Sequence, residues 1–158
     1  MSISQRISGT LAAGWALAAP LSVGQMHFSV GWYDSEYQNY PQVTVRKAWS
    51  PEPLWFLPDT VAGLPDLNYI SHDKYFIDCW YVVDRDILGE AEYDYVEDMM
   101  TECFRILNNK RWSFAGTTGP LGLVIPLDRG IAQHETNIQP RVLHIQMTCQ
   151  ANYKSGHA

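Results

Sequence analysis

The chain has 158 residues, of which 46% are hydrophobic and 18% charged, and its net charge is −6. This length predicts a single domain, residues 1–158, with a sizeable core. The acidic balance argues against sequence-specific nucleic-acid binding, which normally requires a basic patch. The chain is also too polar for a membrane span.

The N-terminal residues 3–18 are predicted to form a helix. Ser2 and Gln5 match a capping box, and Pro20 is expected to stop the helix. Residues 11–20 also resemble the apolar core of a signal peptide, but Gly14 and Pro20 interrupt that run, so a helix is the preferred interpretation. Apolar side chains recur every four positions here: Ile3, Ile7, Leu11 and Trp15.

Two strands are expected next, at residues 28–33 and 41–46, the second because its residues alternate between apolar and polar. Residues 47–73 have no clear period and are rich in proline and aromatic residues. A loop of this length is uncommon unless it has a function. The aromatic side chains of this segment must be buried either in their own domain or against a neighbouring subunit. The candidates for a contact between subunits are Trp49, Trp55, Phe56 and, further along the chain, Trp112.

A strand at residues 75–83 and a long amphipathic helix at residues 90–109 are predicted after this segment. At roughly 100° per residue, the helix separates its apolar and polar side chains into two halves of the helical wheel. The predicted apolar half contains Tyr93, Val96, Met99, Met100, Cys103, Phe104, Ile106 and Leu107.

The last third of the chain is expected to hold two more strands, at residues 121–125 and 141–151, with a polar loop at 128–140 between them. Residues 152–158 are predicted to form a loose tail. The predicted fold is an α+β domain, in which two helices pack on one face of a mainly antiparallel sheet of four to five strands.

Three acidic residues, Asp94, Asp98 and Glu102, follow one stripe of the long helix on its polar side. Two carboxylates on adjacent turns can bind Mg²⁺ or Ca²⁺, but no further ligand is placed near them in the sequence. The preferred interpretation is an acidic surface that faces solvent, an enclosed lumen or a basic partner. No catalytic residue, cofactor or metal is predicted.

His72 and Asp73, before a strand, are candidates to orient a nucleophile, which would be Cys103 or Ser71, but the preferred interpretation has no catalytic histidine. Cys103 is expected in the core, where a thiol is inert. The three cysteines, Cys79, Cys103 and Cys149, have no metal-binding spacing, and they are predicted to be core thiols.

The order of elements resembles that of tail terminator and tail-completion proteins of tailed viruses. The resemblance rests on the N-terminal helix, the strand Pro41–Val45, the strand Phe76–Val82 that leads into the long helix, and the closing strand Arg141–Met147. The resemblance lies in the order of the elements and includes no diagnostic motif. The segment 47–73 departs from the pattern of these proteins.

The resemblance implies a ring, usually of six subunits, that caps the tail tube and joins it to the neck. The implied partners are the tail tube protein and a neck or connector protein, with DNA passing through the ring. The implied location is the virion, after synthesis in the host cytoplasm. The alternatives are another neck or head-closure adaptor, a small metal-dependent or hydrolytic enzyme that uses the acidic stripe or His72, and an α+β ligand-binding dimer.

Overall fold

The fold is that of a computed structural model, which describes residues 2–48, 55–56, 69–83, 89–110, 122–138 and 140–155; for residues 55–56, 69–72, 110, 122–123 and 152–155 it describes the backbone alone. The described residues form two α-helices and seven β-strands. In chain order these elements are α1 (Ile3–Gly14), β1 (His27–Val30), β2 (Gln42–Lys47), β3 (Trp55–Phe56), β4 (Tyr69–Val82), α2 (Glu90–Lys110), β5 (Gly122–Arg129), β6 (Gln133–Glu135) and β7 (Val142–Ser155).

The seven strands belong to one sheet, whose main path is β1-β2-β4-β7-β5. Strands β2 and β4, β4 and β7, and β5 and β7 are antiparallel, whereas β1 and β2 are parallel. The short strands β3 and β6 pair with β4 and β7. The predicted α+β class and the mainly antiparallel sheet are confirmed. The five-strand main path lies within the predicted strand number, and β3 and β6 are additional.

Helix α1 begins as predicted, because Ser2 and Gln5 form the capping box. It ends at Gly14 and not at residue 18, since Trp15 has an extended backbone and its indole N–H donates to the carbonyl of Leu21. A Cβ on Gly14 would lie 3.0 Å from the Ile106 side chain. The helix end therefore packs closely on α2 at a residue that has no side chain.

Helix α2 buries the face that the helical wheel predicts. Six of the eight predicted apolar residues are buried, whereas Phe104 is half-buried and Tyr93 is 38% exposed. The buried residues of α2 share one core cluster with those of α1 and with alternate residues of β2, β4 and β7. Both helices therefore cover the same face of the sheet, which confirms the predicted packing.

Strands β4 and β7 pair over fourteen residues each and form the centre of the sheet. The prediction started β4 at residue 75 and ended β7 at residue 151, because the residues directly before and after these bounds, 71–74 and Asn152, are polar. The long antiparallel pairing supplies backbone hydrogen bonds to these residues, and tertiary context overrides propensity. Residues 152–155, predicted as part of a loose tail, lie in β7, and β6 lies in the predicted loop 128–140.

Candidate functional site

The sheet face opposite the helices, called the outer face below, is more polar than the helix-covered face. Its residues come from three adjacent strands, and the strand register places them in rows across the sheet. One row is Gln42, Trp80 and His144, the next is Thr44, Asp78 and Gln146, and the third is Arg46, Phe76 and Thr148.

Asp78 is the centre of a hydrogen-bond network on the outer face. Its side chain is fully buried, and an unpaired carboxylate in that position would be strongly disfavoured. Three side chains satisfy it. Arg46 Nε donates at 3.2 Å, Gln146 Nε2 donates at 2.9 Å, and His144 Nε2 lies 2.6 Å from Oδ1.

His144 connects the buried Asp78 to a second carboxylate. Its Nδ1 lies 3.2 Å from Glu135 on β6, and its ring stacks on Trp80 with a centroid distance of 3.7 Å. Each ring nitrogen therefore lies within hydrogen-bond distance of a carboxylate oxygen. His144 bridges the two acids.

Aromatic side chains cover the network. Trp32, from the segment after β1, lies edge-on to Trp80 at 4.8 Å and to His144 at 5.7 Å. The Arg46 guanidinium carbon lies 4.6 Å from the ring centroids of both Trp32 and Phe76, within the range of cation–π contacts. Trp32 itself remains 50% exposed.

Gln42 holds the covering segment in place. This fully buried side chain accepts the backbone N–H of Asp34 at 2.9 Å and donates to the carbonyls of Asp34 and Tyr37. Gly31, with a φ of 116°, provides the turn that leads from β1 into the segment. Such a φ strains residues that carry a Cβ, so glycine suits this turn.

A cavity of about 300 Å³ lies beside the network, where the connection between β5 and β6 runs alongside β7. The exposed side chain of Ile131 lies at its rim. Its polar lining includes Asp128, Gln133, Glu135, His144, Gln146 and Thr148.

The predicted acidic stripe on α2 is only partly exposed. Asp94 and Asp98 are exposed, as expected. Glu102 is only 6% exposed, so its assignment to an exposed acidic surface is wrong. The reason is the end of α1, which packs against it: Glu102 accepts the backbone N–H of Ala16 at 2.9 Å and two hydrogen bonds from Arg105.

Arg105 completes this contact by donating to the Gly14 carbonyl at 2.8 Å. The last carbonyls of a helix have no partner within the helix, so the Glu102–Arg105 pair caps the C-terminal end of α1. The hydrogen bonds from Arg105 lower the pKa of Glu102, burial opposes that shift, and the Ala16 N–H adds to it. Helical spacing could not reveal this role, because Ala16 is 86 residues away in the chain.

The predicted core thiols are confirmed, because Cys79, Cys103 and Cys149 are all buried and free. The Cys79 and Cys103 sulfur atoms lie 4.0 Å apart. Burial raises the pKa of Cys149 to about 12, and burial together with the hydrogen bond to Cys103 raises the pKa of Cys79 well above its usual value. Cys79 and Cys149 therefore remain protonated and unreactive at neutral pH.

The predicted interface aromatics stay a prediction. Trp49 and Trp112 lie outside the described residues, and Trp55 and Phe56 are described only as the backbone of β3, paired with Ile70 and Tyr69. The side chain of His72 also lies outside the described part.

Comparison with models of known protein families and with curated sequences finds no match. Within the described residues, no group of three or more histidine, cysteine or acidic side chains is arranged to hold a metal ion. Neither of the two described helices is long and apolar enough to cross a membrane.

Proposed function

We propose that this protein is a structural component of a tailed-virus particle, a tail terminator whose subunits form a ring of about six at the end of the tail tube. The order of the described elements carries the proposal. An N-terminal helix, strand β2, a strand leading into the long helix α2, and the closing strand β7 occur in the order on which the resemblance rests. The ring joins the tail tube to a neck or connector protein, and DNA passes through it.

The sheet edges favour contacts between side chains over pairing of strands from different subunits. Strand β1, at one end of the main path, has only four residues. Strand β5, at the other end, contains Pro126 and a register shift between Pro126 and Asp128. Short edges, proline and irregular pairing are features that block edge-to-edge association.

Apolar side chains that suit a subunit contact are exposed on and after β1. Val30, Trp32, Tyr37 and Tyr40 are each between 42% and 50% exposed. Aromatic residues are enriched among those that dominate the energy of protein interfaces. We assign these four residues, called the β1 aromatic surface below, to a contact between neighbouring subunits, together with the predicted Trp55 and Phe56.

Asp94 and Asp98 support an acidic surface that faces the lumen. Both are exposed on α2. Carboxylates repel phosphate groups, whereas Lys and Arg attract them, so an acidic lumen lets DNA pass without binding. Glu102 is not part of this surface.

The assembly state of the purified protein, alone and mixed with its tail tube protein, tests the proposal. We expect native mass spectrometry to detect a closed ring, at least in the presence of the tube. The paired variant Val30→Ser/Tyr40→Ser should remain folded but lose assembly, and so should Trp55→Ser/Phe56→Ser. A matched control is Leu127→Ser, which removes an exposed apolar side chain from outside the β1 aromatic surface.

A protein that stays monomeric with the tube, and that occurs as one copy per particle in a virion reconstruction, would contradict the proposal. Binding to a portal or connector protein without binding to the tail tube would instead favour another neck or head-closure adaptor. If the Trp55→Ser/Phe56→Ser variant loses its fold and shows no separate loss of assembly, these two residues belong to the core of the subunit and not to an interface.

A further inference from the structure

The cavity beside His144 has a rigid floor. His144, Gln146 and Thr148 are successive outward-facing residues of β7, and the first two are fixed by hydrogen bonds to the buried Asp78. The wall is formed by β6 and the end of β5, and the backbone N–H of Gly130 donates to the carbonyl of Gln146. A preformed polar site of this kind loses little conformational freedom when it binds a ligand.

The electrostatics of the cavity are negative in every protonation state of His144. The carboxylates that line it or extend from it through ion pairs are Asp78, Glu97, Asp128 and Glu135, and the basic groups are Arg46, Arg129 and His144. Four acids face at most three positive charges. Arg129 is turned to Glu97 on α2, and Arg46 is held by Asp78 and two aromatic rings.

Carboxylate oxygens that have no donor among the described residues belong to the lining of this cavity. Glu135 uses Oε1 for His144, while among the described residues no donor reaches its Oε2 or either carboxylate oxygen of Asp128. The Thr148 hydroxyl and the Gln133 amide add further polar groups to the lining. A ligand that fits this set is a cation with several N–H donors.

We propose that the cavity binds one guanidinium or ammonium group, presented by an arginine or lysine side chain of a protein partner. Its volume, about 300 Å³, is at the lower end of the range for ligand pockets, which suits one long side chain better than a larger ligand. Ile131, 83% exposed at the rim, offers an apolar contact to the partner's chain beside the inserted group. The inference is independent of the tail-terminator proposal, because it concerns only the chemistry of this cavity.

Titration of the folded protein with small probes, followed by amide NMR at low ionic strength, tests this assignment. Nα-acetylarginine amide should shift the signals of Thr148 and Gln133 saturably, whereas the citrulline analogue, which has nearly the same shape but no charge, should not. A peptide with one arginine between two leucines should bind more tightly than the free amide, and Ile131→Ser should remove that difference.

The variant Asp128→Asn should weaken arginine amide binding by about tenfold, which corresponds to about 1.4 kcal/mol. Asp128 makes no ion pair among the described residues, so its replacement leaves the fold intact. Glu135→Gln should weaken binding as well, with unfolding measured in parallel because this residue also bonds His144. The matched control is Asp94→Asn, which changes the net charge equally but lies on α2.

Equal binding of the citrulline analogue, unchanged affinity in Asp128→Asn, or no saturable shift with either arginine probe would overturn the proposal. Putrescine binding as tightly as the peptide would overturn the assignment to a protein side chain.

Discussion

The two faces of the sheet are built from alternate residues of the same strands, yet they are stabilised by different interactions. On β4, Ile77 and Cys79 point to the helices and enter the apolar core, whereas Asp78 and Trp80 point to the outer face. All four are fully buried. The helix-covered face is stabilised by apolar packing. The outer face is stabilised by a charged network beneath an aromatic cover.

The difference has a structural cause. Two amphipathic helices cover the first face, and their apolar sides need no particular partner beyond a complementary shape. One segment, held by Gln42, covers the second face over Trp80 and His144. Polar groups beneath such a cover must find partners within the protein, because burial without a hydrogen bond is costly. Stability on the first face therefore depends on filled volume, whereas on the second it depends on matched polar pairs.

The largest effect is expected on the helix-covered face, from Leu107→Ala. Leu107 is fully buried in the core cluster, and truncation of a buried leucine costs about 2–5 kcal/mol through lost burial and a residual cavity. Chemical denaturation should measure a loss of that size. Leu127→Ala is the control, because Leu127 is 46% exposed and its truncation should change the free energy of unfolding by less than about 0.5 kcal/mol. Similar losses in both variants would contradict the assignment of the core.

A smaller effect is expected on the outer face from Asp78→Asn. The amide keeps the shape of the carboxylate but cannot pair with the charge of Arg46, and its N–H groups are donors at a position where Arg46 and Gln146 already donate. A buried group left without a suitable partner costs about 1–3 kcal/mol. The exposed replacement Asp94→Asn, measured in the same denaturant series, should have no comparable effect.

A paired replacement sharpens this comparison of the faces. Because apolar residues can substitute for a buried ion pair with little loss, Asp78→Leu/His144→Leu should recover much of the stability that Asp78→Leu alone loses. Arg46 is 30% exposed and can turn to solvent. If Asp78→Leu/His144→Leu is less stable than Asp78→Leu alone, interactions other than charge pairing stabilise the outer face.

The sequence predicts the first face far better than the second. Helical periodicity identified the buried side of α2, and alternation identified Leu143, Ile145, Met147 and Cys149 as the inner residues of β7. The same alternation assigned His144 to the polar side of β7, but His144 is 8% exposed. Periodicity reports which way a residue points, and it does not report what covers it. The sequence does contain one signal for a buried polar network, because Asp78 is a charged residue within an otherwise apolar strand.

The partners within the candidate site were not predictable for a related reason. Asp78 and His144 are 66 residues apart, and Glu135 lies in a strand of three residues that has no strong pattern. Their meeting depends on the pairing of β4 with β7, and of β7 with β6. Strand order and register place these three side chains together, and local propensity gives no information about either of them.

The smallest effect is expected from Glu102→Gln, which changes the polar pair on the helix side of the sheet. The loss of stability should depend on pH and should disappear in acid. The pKa of Glu102 is lowered in the folded protein from its ordinary value of 4.5. A lowered folded pKa contributes stability that is present above the unfolded pKa and is lost as the pH falls through the folded pKa. The wild-type protein should therefore lose this contribution as the pH falls below about 4.5, whereas Glu102→Gln should lack it at every pH.

Thermal unfolding measured from neutral to acidic pH tests this difference. The gap between wild type and Glu102→Gln should be largest near neutral pH and should close in acid. Asp98→Asn is the control, because Asp98 is exposed on the same helix and should follow the wild-type profile. Arg105 is 46% exposed, so solvent screens the pair and keeps its contribution small. A difference in stability between wild type and Glu102→Gln that stays constant at all pH values would contradict this prediction. Glu102 would then act through packing and neutral hydrogen bonds, as the apolar core around it does through packing.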